Sequence, residues 1–232
     1  MTKPASVARI LSIARELGPL ASEVVFIGGA IAPLLHTERV LPRARPTNDV
    51  DGVVASHKYG DTEHLQRELR ARGFAHDTSS TGHIHRWVSP SGELFDLVPS
   101  GEHVGGSGNL IDAAAIASTV TAAIEGVTFR HATAPAFIAM KVDAFKDRGG
   151  GDARSSHDIE DVVALVASRP SIVSEVAVAE LAIQSRITTF ASGLVESGTL
   201  EEILAGHLNN ADDVGSAVRL ALRRVESIAA LA

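Results

Sequence analysis

The stretch VVFIGGAIAPLL, residues 24–35, decides the fold of the first part of the chain. Its β-branched and aromatic residues, Val24 to Ile27, are typical of a buried strand. Two glycines follow, and the apolar segment from Ala30 to Leu35 comes directly after them. The stretch therefore predicts a strand, a tight turn at Gly28 and Gly29, and a helix. Glycine allows a phosphate to approach the backbone closely, although a sharp corner between strand and helix would also explain both glycines.

A second stretch, TNDVDGVV at residues 47–54, predicts a strand that carries two carboxylates. Because side chains alternate along a strand, Asp49 and Asp51 leave the same face. Such a pair is stable when water, basic residues or a divalent cation offset its charge, and these oxygen ligands suit magnesium with substrate phosphates. An Asp-x-Asp pair also occurs often by chance. The glycine turn before it favours a functional role, since backbone N–H groups and a helix N-terminus attract phosphate.

A β-hairpin further along the chain supplies a third acid. The alternating segment from His83 to Val88 is followed by the turn sequence SPSG and then by Leu94 to Val98, which contains Asp96. If this strand lies beside the first, the three carboxylates can hold two metal ions. His83 and His85 share a face of the hairpin, but no third ligand stands at a convincing spacing for zinc or copper, so a polar surface or acceptor contact is the alternative.

The pattern of the chain changes near residue 133. Short strands and helices alternate before it, and a β-like patch from Ile124 to Phe129 indicates that the sheet continues there. Alanine-rich helical patterns dominate after it. We therefore predict two domains, an α/β domain at residues 1–132 and a helical domain at residues 133–232. The helices predicted in the second domain are 136–146, 158–167, 174–184, 200–207 and 214–230, with breaks at Pro170 and Gly193.

Composition limits the classes of function. Of the 232 residues 45% are hydrophobic and 21% charged, as in ordinary globular proteins. The absence of cysteine excludes disulfides, thiolate metal sites and cysteine nucleophiles. The formal net charge of −7 gives no global basic field for nucleic acid, so any contact with a polynucleotide must be local. Neither a signal peptide nor a membrane span is recognisable, so we expect a cytoplasmic protein without a membrane partner.

These residues together resemble the nucleotidyltransferase superfamily with the polymerase-beta-like fold, in particular the AbiEii-type toxins. That family has Gly-Gly or Gly-Ser after the first strand, an Asp-x-Asp on the next strand and a third Asp downstream. Similar here are Gly28-Gly29, the run from Arg45 to Asp51, and Phe95-Asp96-Leu97. The AbiEii-like branch adds a lysine-bearing helix, a nearby Asp-Arg and a helix that opens with Asp-x-x-Asp. The segments similar to this module are Met140 to Arg148 and Ser156 to Asp161.

The resemblance implies an α/β (α+β) fold, with a mixed sheet flanked by helices and a C-terminal helical bundle after it. It also implies that Asp49, Asp51 and Asp96 bind the metal and that Asp96 acts as base for the acceptor hydroxyl. The substrate-binding residues that it implies are Gly28, Gly29, Arg45, Thr47, Lys141 and Asp158. A surface lysine and a helix-capping acid are the ordinary alternatives for Lys141 and Asp158. The basic insertion at residues 36–46 makes the gap between the motifs longer than in the minimal enzymes, and its role stays open.

The activity implied is a Mg²⁺-dependent transfer of a nucleoside monophosphate from an NTP to an acceptor hydroxyl, with two ions and release of pyrophosphate. A toxin-like enzyme would modify tRNA or another RNA and would have a cognate antitoxin protein as partner. Its RNA contacts would rest on the local basic residues Arg39, Arg43, Arg45, Lys146 and Arg148. The alternatives are a transferase that acts on a small molecule, as in aminoglycoside-modifying relatives, and a non-catalytic module that binds a nucleotide or a protein.

Overall fold

The computed structural model describes residues 4–38, 47–55, 61–78, 85–100, 110–148 and 151–232. The contacts within the chain define two compact units. The first comprises Met1–Pro33 and Pro46–Thr133, and the second comprises Leu34–Arg45 and Ala134–Ala232. The predicted site residue Arg45 lies outside the described residues, as do Arg39, Arg43 and His83.

A seven-stranded mixed sheet forms the first unit, which confirms the predicted α/β class. Its strands are β1 (Val24–Ile27), β2 (Asp49–Ala55), β3 (Ala75–His76), β4 (Arg86–Val88), β5 (Leu94–Ser100), β6 (Thr119–Ile124) and β7 (Val127–Ala132). Their order in the sheet is β3-β4-β5-β2-β1-β7-β6. Strand β1 pairs antiparallel with β2 and parallel with β7, and β2 pairs parallel with β5. The helices of this part of the chain are α1 (Ala5–Leu17), α2 (Ala32–Leu35), α3 (Asp61–Ala71) and α4 (Leu110–Ala117).

Aromatic rings fill one face of the central strands. The ring centroids of Phe26 and Phe95 lie 6.2 Å apart, and those of Phe26 and Phe129 lie 5.7 Å apart in an edge-to-face arrangement. All three rings are buried. Gly52 on β2 leaves room for this packing, because a Cβ there would lie 3.0 Å from the ring of Phe95. The alternation of β2 and β5 then puts their acidic side chains on the opposite face.

The β-like patch from Ile124 to Phe129 does continue the sheet, but it contains parts of two strands, because the turn between β6 and β7 lies inside it. Both turn residues, Glu125 and Gly126, have positive φ values of 52° and 75°, as the tight turns of two-residue hairpins require. The β-branched residues on either side of this turn belong to two antiparallel strands.

The second unit is helical from Ala134 onward, as predicted. Its helices are α5 (Ala134–Asp147), α6 (His157–Ser168), α7 (Ile172–Ala177), α8 (Leu181–Glu196), α9 (Leu200–His207) and α10 (Val214–Ala229). The helix predicted at residues 174–184 is wrong, because the chain breaks between α7 and α8. Gly193 does not end a helix either; it lies inside α8, where one glycine costs only about 1 kcal/mol. Among the described helices, none has the length and apolar character needed to cross a membrane.

Candidate active site

Three carboxylates lie on one face of two neighbouring strands. In the parallel pairing of β2 with β5, Asp51 is directly opposite Asp96, and Asp49 is directly opposite Leu94. Asp49 and Asp51 are two residues apart on β2, so their side chains leave the sheet on the side of Asp96. The structure therefore brings together the three acids that the sequence singled out, at the amino-terminal ends of both strands.

Arg86 joins two of these acids, and the sequence reasoning missed it. It is directly opposite Asp96 in the antiparallel pair of β4 and β5. Its Nε and Nη2 atoms donate to the two carboxylate oxygens of Asp96 at 2.7 and 2.6 Å, and Nη2 also donates to Asp49 Oδ2 at 3.2 Å. The hydrogen bonds to Asp96 are the main reason why the pKa of Arg86 is raised above its ordinary value. Arg86 is therefore a cation held within the acidic face.

Gly28 covers the carboxylate of Asp51. Asp51 pairs with Ile27, the last residue of β1, and the chain turns at Gly28 with a φ of 69°. A Cβ at this glycine would lie 1.9 Å from Asp51 Oδ2, so any side chain would collide with the carboxylate. Gly29 begins the short 3-10 turn Gly29–Ile31 that leads into α2. Both the backbone conformation and the contact with Asp51 therefore require glycine at position 28.

Thr47 and Arg9 hold the beginning of β2. The Thr47 hydroxyl donates to Asp49 Oδ1 at 2.8 Å. Arg9, on α1, donates to the carbonyl oxygen of Thr47, and its Nε atom is 3.1 Å from Glu93 Oε2, next to the start of β5. Arg9 thus ties together the ends of the two acid-bearing strands. Its sequence signal was an arginine inside the apolar pattern of the first helix, which by itself does not indicate a contact with the strands.

Lys141 and Asp158 meet in a buried charged cluster of the second unit. Lys141 Nζ is 3.1 Å from Asp158 Oδ1 and 2.6 Å from Asp161 Oδ2. Arg148 donates to the other oxygen of Asp158. The side chain of Lys141 is only 12% exposed and both aspartates are buried, whereas Arg148 is 72% exposed. Ser156, whose hydroxyl accepts from the backbone N–H of Ile159, caps the helix on which these aspartates lie.

The described part of the hairpin also contains Trp87 and His85. Trp87 is buried and stacks on His76 with 3.8 Å between ring centroids. The pKa of His85 is lowered, chiefly by burial; Asp96 opposes this shift and His76 adds to it. Across the described part of the chain, no three histidine or acidic side chains are arranged as a metal-binding group.

Comparison with known proteins defines the fold. No family model and no curated protein matches this sequence. An antigenic nucleotidyltransferase-like protein from Paracoccidioides brasiliensis is similar in structure, with a TM-score of 0.51 and 17% sequence identity over 87% of this chain and 92% of that chain. JHP933 from Helicobacter pylori has a TM-score of 0.49 and 14% identity, over 99% of this chain and 94% of that one. The first likeness shows that this chain has a nucleotidyltransferase-like fold.

Proposed function

We propose that this protein is a Mg²⁺-dependent nucleotidyltransferase, which moves a nucleoside monophosphate from an NTP to an acceptor hydroxyl. The observation that carries the proposal is the common face of Asp49, Asp51 and Asp96. The glycine corner at Gly28 lies directly beside Asp51, and turns of this kind expose backbone N–H groups that attract phosphate. The nucleotidyltransferase-like fold supports the same conclusion.

Asp49 and Asp51 fit a magnesium ion. Both supply carboxylate oxygens, the ligands that magnesium prefers, and Asp49 is 34% exposed, so a hydrated ion can reach it. Asp96 is less available as a magnesium ligand, since both of its oxygens accept hydrogen bonds from Arg86. A bound ion, or two as in related chemistry, would neutralise phosphate charge and make the acceptor hydroxyl more acidic. We therefore assign the cation to Asp49 and Asp51 first, with Asp96 as the third ligand.

The chain's own groups account for the remaining chemistry. In the proposed reaction the acceptor oxygen bonds to the α-phosphorus, the bond from that phosphorus to the oxygen bridging to the β-phosphate breaks, and pyrophosphate leaves. Asp96 takes the proton of the acceptor hydroxyl. Backbone N–H groups at Gly28 and Gly29 bind phosphate oxygens.

The remaining assignments follow the family resemblance. Lys141 contacts the triphosphate, Asp158 the nucleotide, and Thr47 and Arg45 the substrate. To contact the triphosphate, Lys141 must break the ion pairs that it forms with Asp158 and Asp161 in the structure.

The acceptor that we propose is tRNA or another RNA, as in a toxin that has a cognate antitoxin. Because the net charge is −7, RNA must be bound by local basic groups. Lys146 and Arg148 are exposed at the end of α5 and are suitable for this contact. The alternative acceptor is a small molecule, and a transfer reaction that offers both kinds of acceptor distinguishes the two.

The test is nucleotide transfer in vitro. Each α-labelled NTP is incubated with Mg²⁺ and the protein, in the presence of total tRNA or of an aminoglycoside. We expect label on the RNA with the wild-type protein, and a roughly thousandfold lower rate for Asp49→Asn, which removes a proposed metal ligand. Asp212→Asn is the matched control, because Asp212 is exposed and lies in the other unit. Label on the aminoglycoside and none on the RNA would show that the acceptor is a small molecule and not RNA.

One observation favours the non-catalytic alternative. Several charges that the transferase would use are already paired inside the protein, Asp49 and Asp96 with Arg86, and Lys141 with two aspartates. A binding module would bind an NTP, as measured by calorimetry, without transferring it to any acceptor. Absence of transfer in every reaction would contradict the enzyme and leave this alternative. Transfer that persists in Asp49→Asn would contradict the assignment of the reaction to this site.

A further inference from the structure

The acidic face of the sheet contains the guanidinium of Arg86 beside the carboxylates of Asp49, Asp51 and Asp96. Arg86 presents two nitrogen atoms to Asp96, and one of them also donates to Asp49. Its side chain is 15% exposed, so the guanidinium is partly removed from solvent together with the carboxylates. A planar guanidinium that matches a carboxylate with two parallel hydrogen bonds is among the strongest pairings available to a protein.

This pairing follows from the strand register. β4 and β5 form a hairpin around the turn at Ser89–Gly92, and the pairing of Val88 with Leu94 continues to Arg86 with Asp96. Side chains directly opposite each other on antiparallel strands lie on the same face. Arg86 therefore cannot turn to the other face of the sheet without a change of register.

We propose that Arg86 is the internal counterion of the three carboxylates, and that a divalent cation competes with its guanidinium for Asp96 and Asp49. This inference rests on the proposed function, because it concerns the same cation site. The hydrogen bonds of Arg86 occupy both oxygens of Asp96, so a cation that takes Asp96 as ligand must exchange with them. A positive charge only a few ångströms from the cation also weakens cation binding by repulsion.

Arg86 is expected to have two opposite effects, one on the stability of the fold and one on the affinity for a divalent cation. Without a divalent cation, Arg86 stabilises the fold by offsetting the repulsion between neighbouring carboxylates. When a divalent cation is added, the same charge lowers the affinity of the site for that cation. A residue with a merely structural role would produce only the first effect, so the affinity for a metal is the measurement that decides.

The experiment measures Mn²⁺ binding to the full chain without nucleotide or acceptor. Mn²⁺ suits the same oxygen ligands as Mg²⁺, and its free concentration is measured by electron paramagnetic resonance. We expect Arg86→Gln to bind Mn²⁺ roughly tenfold more tightly than the wild type, because a positive charge has been removed. Arg86→Lys keeps the charge and is expected to stay within about threefold of the wild type. Combining Asp49→Asn with Arg86→Gln is expected to abolish the gain.

Thermal unfolding provides the second measurement on the same samples. In EDTA, Arg86→Gln is expected to unfold at a lower temperature than the wild type, and Mn²⁺ is expected to raise its unfolding temperature more than that of the wild type. Unchanged or weaker Mn²⁺ binding by folded Arg86→Gln would overturn the proposal. The absence of Mn²⁺ binding in every variant would overturn it too.

If Arg86→Gln does not fold, the wild-type protein still provides a test. The Nε–Hε nuclear magnetic resonance signal of Arg86 is assigned by its loss in Arg86→Lys, and Mg²⁺ is then added. We expect the signal to shift as the guanidinium leaves Asp96, and a signal that does not respond to Mg²⁺ would overturn the proposal.

Mn²⁺ affinity tests the counterion role of Arg86, whereas nucleotide transfer tests the transferase activity. Tighter Mn²⁺ binding by Arg86→Gln, together with no nucleotide transfer by the wild type, would support the counterion and contradict the transferase. Transfer by the wild type with unchanged Mn²⁺ affinity in Arg86→Gln would do the reverse.

Discussion

The two charged clusters of this protein differ in composition and in exposure. The carboxylate cluster of the first unit consists of Asp49, Asp51, Asp96 and Arg86, so three acids face one guanidinium. The paired cluster of the second unit consists of Lys141, Arg148, Asp158 and Asp161, with two cations for two acids. The acids of the carboxylate cluster are partly exposed, whereas those of the paired cluster are buried.

The difference indicates which cluster can accept a ligand charge. An excess of acids on a partly exposed face can take up an additional cation, as a magnesium site requires. A buried set of matched charges gains nothing from another ion, and removal of one partner leaves an uncompensated charge in the interior. We therefore expect the carboxylate cluster to control activity and the paired cluster to control stability as well as any contact of Lys141 with substrate.

The largest expected change in stability comes from Lys141→Met. This change leaves Asp158 and Asp161 buried without the ammonium group, so the free energy of unfolding of the second unit is expected to fall by about 3–5 kcal/mol. Denaturant unfolding measures it, with Lys146→Met on the same helix as control, since Lys146 is exposed and its loss should change stability by less than about 0.5 kcal/mol. If both variants unfold alike, the paired cluster does not stabilise the unit.

The second prediction concerns the contact between Gly28 and Asp51. Gly28→Ala adds a Cβ that collides with the carboxylate in a backbone conformation that is strained for alanine, and it is expected to destabilise the first unit by about 2–4 kcal/mol. Gly92→Ala is the matched control, because Gly92 has a φ of 85° but nothing within 4 Å of the added Cβ. The control should lose only about 1 kcal/mol, from the positive φ alone. Equal losses in thermal unfolding would show that the contact with Asp51 contributes nothing.

The smallest effect is a pH dependence in the second unit. Burial lowers the pKa of His36, a shift that Asp161 opposes and Arg169 assists, and its Nδ1 lies 2.5 Å from the Ser168 hydroxyl oxygen. The folded state therefore holds His36 neutral, while the unfolded chain takes up a proton below pH of about 6.5. Stability is present above that pH and falls as the pH decreases, by at most about 1.4 kcal/mol per pH unit. His36→Asn is expected to reduce the loss between pH 7.5 and 5.5, and an unchanged loss would contradict the assignment to His36.

Much of this organisation could be predicted from local sequence. The strand at Val24–Ile27 and the helix at Leu200–His207 have the predicted bounds, because strong hydrophobic patterns end there at clear turn signals. The break between α7 and α8 could not be predicted in this way. Val178 and Leu181 continue the apolar pattern, yet both side chains are exposed. Periodicity records which residues are apolar, and it does not record which of them are covered.

Arg86 was missed for a different reason. The acids stand out in the sequence as possible metal ligands, whereas an arginine on a strand becomes informative only once the residue facing Asp96 across the hairpin is known. Counting outward from the three residues 90–92 gives the pairs Val88 with Leu94 and Arg86 with Asp96, as observed. Counting outward from all four residues of SPSG would instead place Arg86 opposite Phe95, so the signal depended on the register of the turn. The ion pair of Lys141 with Asp161 carried no such signal, because it depends on how α5 and α6 pack together.

The sequence by itself determined that Asp49 and Asp51 share a face, since alternation along a strand is a local property of the backbone. It also determined that a glycine turn precedes them. Only the tertiary structure decided that Asp96 lies directly opposite Asp51, that Asp51 lies beneath Gly28, and that Arg86 bridges two of the acids. Strand order and register arise from contacts between residues far apart in the chain, and local patterns do not fix which strands become neighbours.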